Sequence, residues 1–188
     1  MARTKKNIEL LKIMDEYNLF ISSKKRTDMP MWVNKEKANH KSSLYLEQNL
    51  WSDSEFGKTS IDCEVRNKNS FNYSFQIISN KLKDRVLVRF DEGNGVHRNN
   101  NPSIPLQEQE ITTPHFHKYD NGGYFIAYKT NELTPYNNKP LNIETGLSIF
   151  CNEENIISSD GALINIQVSE EGMLPFKCDE DPLNEIMF

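Results

Sequence analysis

Apolar and polar positions alternate with period two through three consecutive stretches in the middle of the chain. Ile61, Cys63 and Val65 alternate with Asp62, Glu64 and Arg66. Phe71, Tyr73, Phe75 and Ile77 follow a turn at residues 67–70, and Val86, Val88 and Phe90 follow a second turn at residues 80–84. Alternation of this kind sends one set of side chains to each face of a strand. Strands joined by such short turns predict an antiparallel meander. Two further strands are predicted over 115–119 and 123–130. The turn between them, Asp120-Asn121-Gly122-Gly123, has the residues that tolerate the left-handed backbone of a hairpin.

A helical period takes over at the two flanks. Ile8, Leu11 and Met14 repeat at threes, and Leu10, Met14 and Tyr17 at four and three, so a helix is predicted over 4–20, with Thr4 as cap and its end near Asn18. A second helix is predicted over 141–151 with Asn142 as cap, although Gly146 weakens it. Residues 21–41 read as a polar linker. Leu44 and Leu46 alternate only briefly before a polar turn at 52–55, and residues 162–171 read as one late strand. The expected fold class is α+β: an N-terminal helix, a mostly antiparallel sheet of about five strands, one following helix and an extended C-terminal segment. One domain is expected, with residues 1–41 as helix and linker, 42–156 as core and 157–188 as an acidic segment.

Composition narrows the class of function. A chain of 188 residues suits one domain. The net charge of −5 argues against a general nucleic-acid binder, but the charge is uneven. From Asn131 onward eleven acidic residues face two basic ones, which leaves the remainder mildly basic. That balance fits an RNA-facing surface, and equally an acidic segment that keeps the protein soluble. No apolar run approaches the roughly 20 residues needed to cross a bilayer. The basic-then-apolar start is interrupted by Glu9, Asp15 and Glu16, unlike a signal peptide. A cytoplasmic protein with no membrane partner is expected. Cys63, Cys151 and Cys178 form no C-x-x-C pair and read as buried free thiols.

The candidate chemistry lies between Val86 and Tyr128, which hold three of the four histidines. His115 and His117 are two apart on a predicted strand and share a face. The loop over 91–113 joins that strand to the preceding one, so His97 can approach the pair if the two strands are neighbours. Three readings are open. Two imidazoles could act as general base and acid in phosphodiester transfer on RNA. Arg89, Arg98 or Lys118 would then hold phosphate charge, and Tyr119 and Tyr124 would stack a base. Alternatively His97, His115 and His117 bind a divalent transition metal, with Asp91 or Glu110 as ligand or support. In the third reading the histidines are ordinary strand and loop residues.

YSFQIISNKLKDRVLVRFD, then HRNNNP, then PHFHKYDNGGYFIAY resembles an uncharacterised family of small bacterial and phage proteins. In that family an apolar strand ending in R-x-D is followed by H-x-N-P-D-G, by H-x-H-x-Y, and by a strand and a helix ending near C-N. The matching positions are Arg89, Asp91, His97, Asn99, His115, His117, Tyr119 and Cys151-Asn152. Here Asn100 and Asn101 precede Pro102, and the Asp-Gly pair is missing. The pattern is also similar to TumE-like toxins of toxin–antitoxin modules. That resemblance implies a bacterial or phage conflict setting and favours RNA. The leading expectation is therefore a metal-independent, RNA-cleaving toxin-like protein that uses the three histidines and no cofactor. The alternatives are a metal site on the same histidines, or a non-catalytic, antitoxin-like or phage-inhibitor module that binds a host protein through its acidic C-terminal segment; the expected partners are RNA and a cognate antitoxin or host protein.

Overall fold

Nine strands, not five, make the main sheet. The computed structural model describes residues 6–93, 95–99, 105–137 and 139–169. Its helices are α1 (Ile8–Leu11), α2 (Met14–Ser22) and α3 (Ile143–Glu153). The strands begin with β1 (Lys25–Thr27), β2 (Met31–Val33), β3 (Lys35–Lys37) and β4 (His40–Ser52). They continue with β5 (Thr59–Val65), β6 (Tyr73–Ser79), β7 (Val86–Asp91), β8 (Val96–Arg98) and β9 (Glu110–Thr112). The last are β10 (His115–Tyr119), β11 (Phe125–Tyr128), β12 (Ile156–Ser158) and β13 (Ile166–Val168). The sheet runs β11-β10-β7-β6-β5-β4-β1-β12, with β3 also on β4, and curls into a half-barrel. Two separate pairs, β2–β13 and β8–β9, complete the described strands.

This mostly β architecture corrects the five-strand α+β expectation. The central meander and the hairpin at 120–123 are where the alternation predicts them. The largest omission is β4, whose thirteen residues pair with β5 from Leu44 to Leu50. Its inward leucines are separated by Glu47, Gln48 and Asn49, and these polar residues hid the strand. β1, β3 and β12 have three residues each, too short to show a period. The N-terminal helix is broken at Lys12–Ile13 into two pieces and ends at Ser22. Asn7 caps its first piece by accepting the Leu10 amide at 3.0 Å. The predicted cap Thr4 lies outside the described residues. Leu10, Tyr17 and Phe20 are buried, whereas Ile8 and Leu19 face solvent.

In antiparallel pairing, opposed residues share a face. One row across the sheet is Leu46, Cys63, Phe75, Phe90 and Phe116, and α3 covers it with Phe150, whose ring centroid stands 5.4 Å from that of Phe75. Each fully buried phenylalanine contributes about 1.5–3 kcal/mol of burial free energy. The neighbouring row, on the opposite face, is Glu47, Asp62, Gln76, Arg89 and His117. The sheet therefore has an apolar face packed on α3, and an opposite face that is polar along this row. Tyr17 ties the helical segment to both central strands: its hydroxyl donates to the Leu87 carbonyl and accepts from the Tyr119 amide, each at 3.1 Å.

α3 starts and ends two residues later than the predicted 141–151, and Asn142 caps it as expected, accepting the Thr145 amide at 2.8 Å. Gly146 is there for space. A Cβ on it would lie 1.9 Å from the Tyr73 hydroxyl, which donates to the Asn142 carbonyl at 3.0 Å. Lys25 is fully buried where α2 and α3 end together. Its ammonium donates to the carbonyls of Ile21, Ser23 and Glu154 at 2.8, 3.1 and 2.9 Å, so one cation caps two helix C-termini. Cys63 and Cys151 are buried free thiols; Cys178 lies outside the described residues. Among the described residues no helix is long and apolar enough to cross a membrane.

Candidate functional site

β7 and β10 are antiparallel neighbours, with His115 opposite Asp91 and His117 opposite Arg89. These four side chains therefore leave the same face of the sheet. β8 and β9 pair with each other and bring His97 over the two strand histidines. Ring centroids are 4.6 Å apart for His97–His117, 4.7 Å for His115–His117 and 5.9 Å for His97–His115. One nitrogen from each ring lies within 4.8 Å of the others.

Asn99 places this third histidine. β11 is an edge strand, and the outward backbone groups of Ala127 have no strand to pair with. The Asn99 amide takes that role. Its Nδ2 donates to the Ala127 carbonyl and its Oδ1 accepts the Ala127 amide, both at 2.7 Å. Because Ala127 is opposite His117, this clamp fixes β8 beside that imidazole.

The second layer of contacts sets the protonation pattern. His115 Nδ1 lies 3.3 Å from the Thr112 carbonyl, which only accepts, so the proton sits on Nδ1 and Nε2 keeps its lone pair. That Nε2 is 2.9 Å from His117 Nε2. Burial, reinforced by His117, pushes His115 down to about 4. Burial and His117 also hold His97 below its ordinary value. Both rings are therefore neutral near pH 7. His117 Nε2 also lies 3.3 Å from Asp91 Oδ2. Burial would raise the Asp91 carboxyl, but the His117 hydrogen bond and the Arg89 guanidinium outweigh it and keep the group below its usual value. Arg89 grips that carboxylate through two donors, at 2.9 and 2.7 Å. Phe125 stacks on His117 with centroids 5.4 Å apart, and His97 Nε2 and His117 Nδ1 are buried with no hydrogen-bond partner among the described residues.

The remaining expected site residues scatter. Lys118 lies on the opposite face, its ammonium 4.3 Å from the centroid of the Tyr128 ring. Arg98 is opposite Glu110, and alternation along β8 turns both away from the His97 side. Tyr119 is buried against Tyr17 and Phe125, its hydroxyl accepting from Asn7 at 3.4 Å. Tyr124 is exposed on the hairpin turn. Only Arg89, of the expected phosphate-binding residues, stands beside the histidines. Asn99 has both polar atoms of its amide committed to Ala127. Residues 100–104 of the expected loop motif, and residues 170–188 of the acidic segment expected to contact a partner, lie outside the described residues.

Thr112, Phe125 and Arg66 were not among the expected site residues. Arg66 lies 3.9 Å from Asp91 and donates to Ser74 at 3.2 Å, and only the β5–β6 register brings it near. No protein-family model, curated protein or solved structure matches this chain.

Proposed function

We propose that His97, His115 and His117 form a divalent transition-metal centre that leaves a position for water, suited to metal-assisted hydrolysis. The observation that carries this reading is convergence: three imidazoles each bring one nitrogen within 4.8 Å of the others. Nitrogens bound 2.0–2.1 Å from a tetrahedral zinc stand roughly 3.3 Å from one another. The 2.9 Å between His115 and His117 is close to that, and a shift of the His97 hairpin brings in the third ligand. The Thr112 carbonyl on His115 Nδ1 is the kind of support that aims a histidine ligand and fixes its tautomer. A bound metal at such a site lowers the pKa of its water and polarises an oxygen of the substrate.

Acid–base work without metal requires a different spacing. In-line displacement puts attacking and leaving oxygens on opposite sides of phosphorus, so acid and base stand roughly 6 Å or more apart. One observation favours it nevertheless: the Asp91–His117 contact could orient His117 as a lone acid or base in RNA cleavage.

Elemental analysis of protein purified without a histidine tag separates the two readings. The metal reading expects about one equivalent of zinc, nickel, manganese or iron, lost on replacing His115 and His117 with alanine. Protein that stays metal-free when dialysed against micromolar zinc, yet cleaves RNA in the presence of chelator, would overturn it.

A further inference from the structure

Which nitrogen each histidine presents decides what Asp91 does. The Thr112 carbonyl occupies His115 Nδ1, so His115 binds a metal through Nε2, and that atom lies 2.9 Å from His117 Nε2. The ligating edge of His117 is therefore its Nε2 side. A carboxylate that only supports a histidine ligand accepts from the ring's other nitrogen, away from the metal. Asp91 does not. Its Oδ2 lies 3.3 Å from Nε2 itself, while His117 Nδ1 has no hydrogen-bond partner among the described residues. The carboxylate stands on the metal side of the ring.

The distances suit a shared ion. Bonds of about 2.1 Å put neighbouring donor atoms roughly 3.0 Å apart at right angles and roughly 3.4 Å apart at the tetrahedral angle. The separations of 2.9 Å between the two Nε2 atoms and 3.3 Å from His117 Nε2 to Asp91 Oδ2 lie close to these values. Asp91 also has a lone pair to give. Arg89 Nε takes Oδ1 at 2.9 Å and Arg89 Nη2 takes Oδ2 at 2.7 Å, whereas a carboxylate has about four acceptor sites. Metal binding changes what the remaining site faces. His117 Nε2 cannot carry both a proton and a metal, so an ion on that nitrogen removes the donor that Oδ2 meets. Asp91 is only 2% exposed and His117 4%, which leaves little water to replace that donor. The ion itself fills the place.

We infer that Asp91 is the fourth protein ligand of the centre, entering through Oδ2, so that three imidazoles, one carboxylate and one water surround a five-coordinate ion. This deepens the metal reading and rests on it. A carboxylate oxygen is a harder donor than imidazole, and its presence extends the site's preference from zinc toward manganese(II) and iron(II). Arg89, with Arg66 3.9 Å from the same carboxylate, keeps it aimed, as hydrogen-bonded partners do for ligating carboxylates.

Cobalt(II) and manganese(II), each added to the metal-free full chain, test the assignment. Cobalt reports its ligand number through visible bands that are weak for five or six ligands and intense for four. The parent should show weak bands, a measurement that needs no variant. Asp91→Asn, whose circular dichroism should match the parent, should lose manganese affinity by roughly tenfold or more, keep more of its zinc affinity, and give the intense four-ligand bands. Asp91→Glu, which retains a carboxylate, should recover part of the manganese binding. Intense bands in the parent overturn the assignment of Asp91 and leave the three-histidine centre standing. So does an Asp91→Asn spectrum like that of the parent with an unchanged ratio of manganese to zinc affinity, the result expected of a carboxylate that only supports His117. A parent that takes up neither zinc, cobalt nor manganese overturns the metal reading and this ligand with it.

Discussion

Replacing Asn99 with alanine tests whether the third histidine is held in place before any metal arrives. The substitution removes two hydrogen bonds of 2.7 Å and leaves the amide and carbonyl of Ala127, a buried residue, without partners. Each unpaired buried group costs about 1–3 kcal/mol, and partial entry of water puts the pair at about 2–3 kcal/mol. Detaching the β8–β9 hairpin relieves that cost, so the variant spends most of its time with His97 swung away. Metal binding must then draw the hairpin back. At about 1.4 kcal/mol per factor of ten, the apparent affinity for zinc falls roughly 30- to 150-fold. Competition against a chromophoric chelator measures the affinity, and amide hydrogen exchange at Ala127 reports the clamp directly. His97→Ala sets the limit, since it removes the ligand itself. Zinc affinity within threefold of the parent for Asn99→Ala, alongside a large loss for His97→Ala, would refute the reasoning, because the hairpin would then be held by something else.

Three further outcomes are expected. Gly146→Ala, which in an open helix gains about 1 kcal/mol, should instead destabilise by about 1–3 kcal/mol in urea denaturation, because the new methyl overlaps the anchored Tyr73 hydroxyl. Lys25→Met should cost about 3–5 kcal/mol, since it takes the donor from three carbonyls, that of Glu154 buried, and leaves Glu154 without its cation; a melting temperature within a few degrees of the parent would contradict the double-cap assignment. Asp62 is raised from 3.8 to about 6 by burial and by Glu47, against weaker opposing pulls from Ser60, Arg85 and Lys37. The folded state therefore holds this proton more tightly than the unfolded chain, and the contribution is lost as pH rises from about 4 through 6. Asp62→Asn should gain stability relative to the parent across that window and keep a constant advantage above it. A difference that does not change between pH 4 and 7 would count against the assignment.

The site was more legible in the sequence than the architecture around it, for a physical reason. Period two fixes side-chain direction without knowledge of the fold, so H-x-H on a strand already places His115 and His117 together. Neighbouring strands then bring Asp91 and Arg89 opposite them. The same alternation, carried through, turns Lys118 to the other face and Arg98 away from His97, so those two expectations conflicted with the pattern that located the histidines. β4 was hidden because a strand with one wet face keeps few apolar residues; Leu44, Leu46 and Leu50 are its buried hydrophobics. β1 and β12 take their places through pairing with β4 and with each other, contacts that a three-residue segment does not encode. The Asn99 clamp was unreadable for a related reason. An asparagine whose amide completes a distant strand edge has the same local sequence as one in any loop.

That clamp also explains why a half-barrel can hold a site at its margin. An unprotected edge strand displays a row of free amides and carbonyls and invites pairing with another chain. Covering β11 with a full strand would protect it but would also lay backbone across the ground the third histidine needs. A single side-chain amide gives Ala127 the two hydrogen bonds that a neighbouring strand would supply. It leaves room for β8 and β9 to fold over the polar face, and there His97 meets His117. Edge protection and assembly of the centre are then one structural act. Asn99→Asp separates them: a carboxylate can still accept the Ala127 amide, but it cannot donate to the carbonyl. It should therefore fall between the parent and Asn99→Ala in hydrogen exchange at Ala127 and, to the same rank, in zinc affinity. A variant that changes one measurement without the other would show that the edge and the centre are held independently.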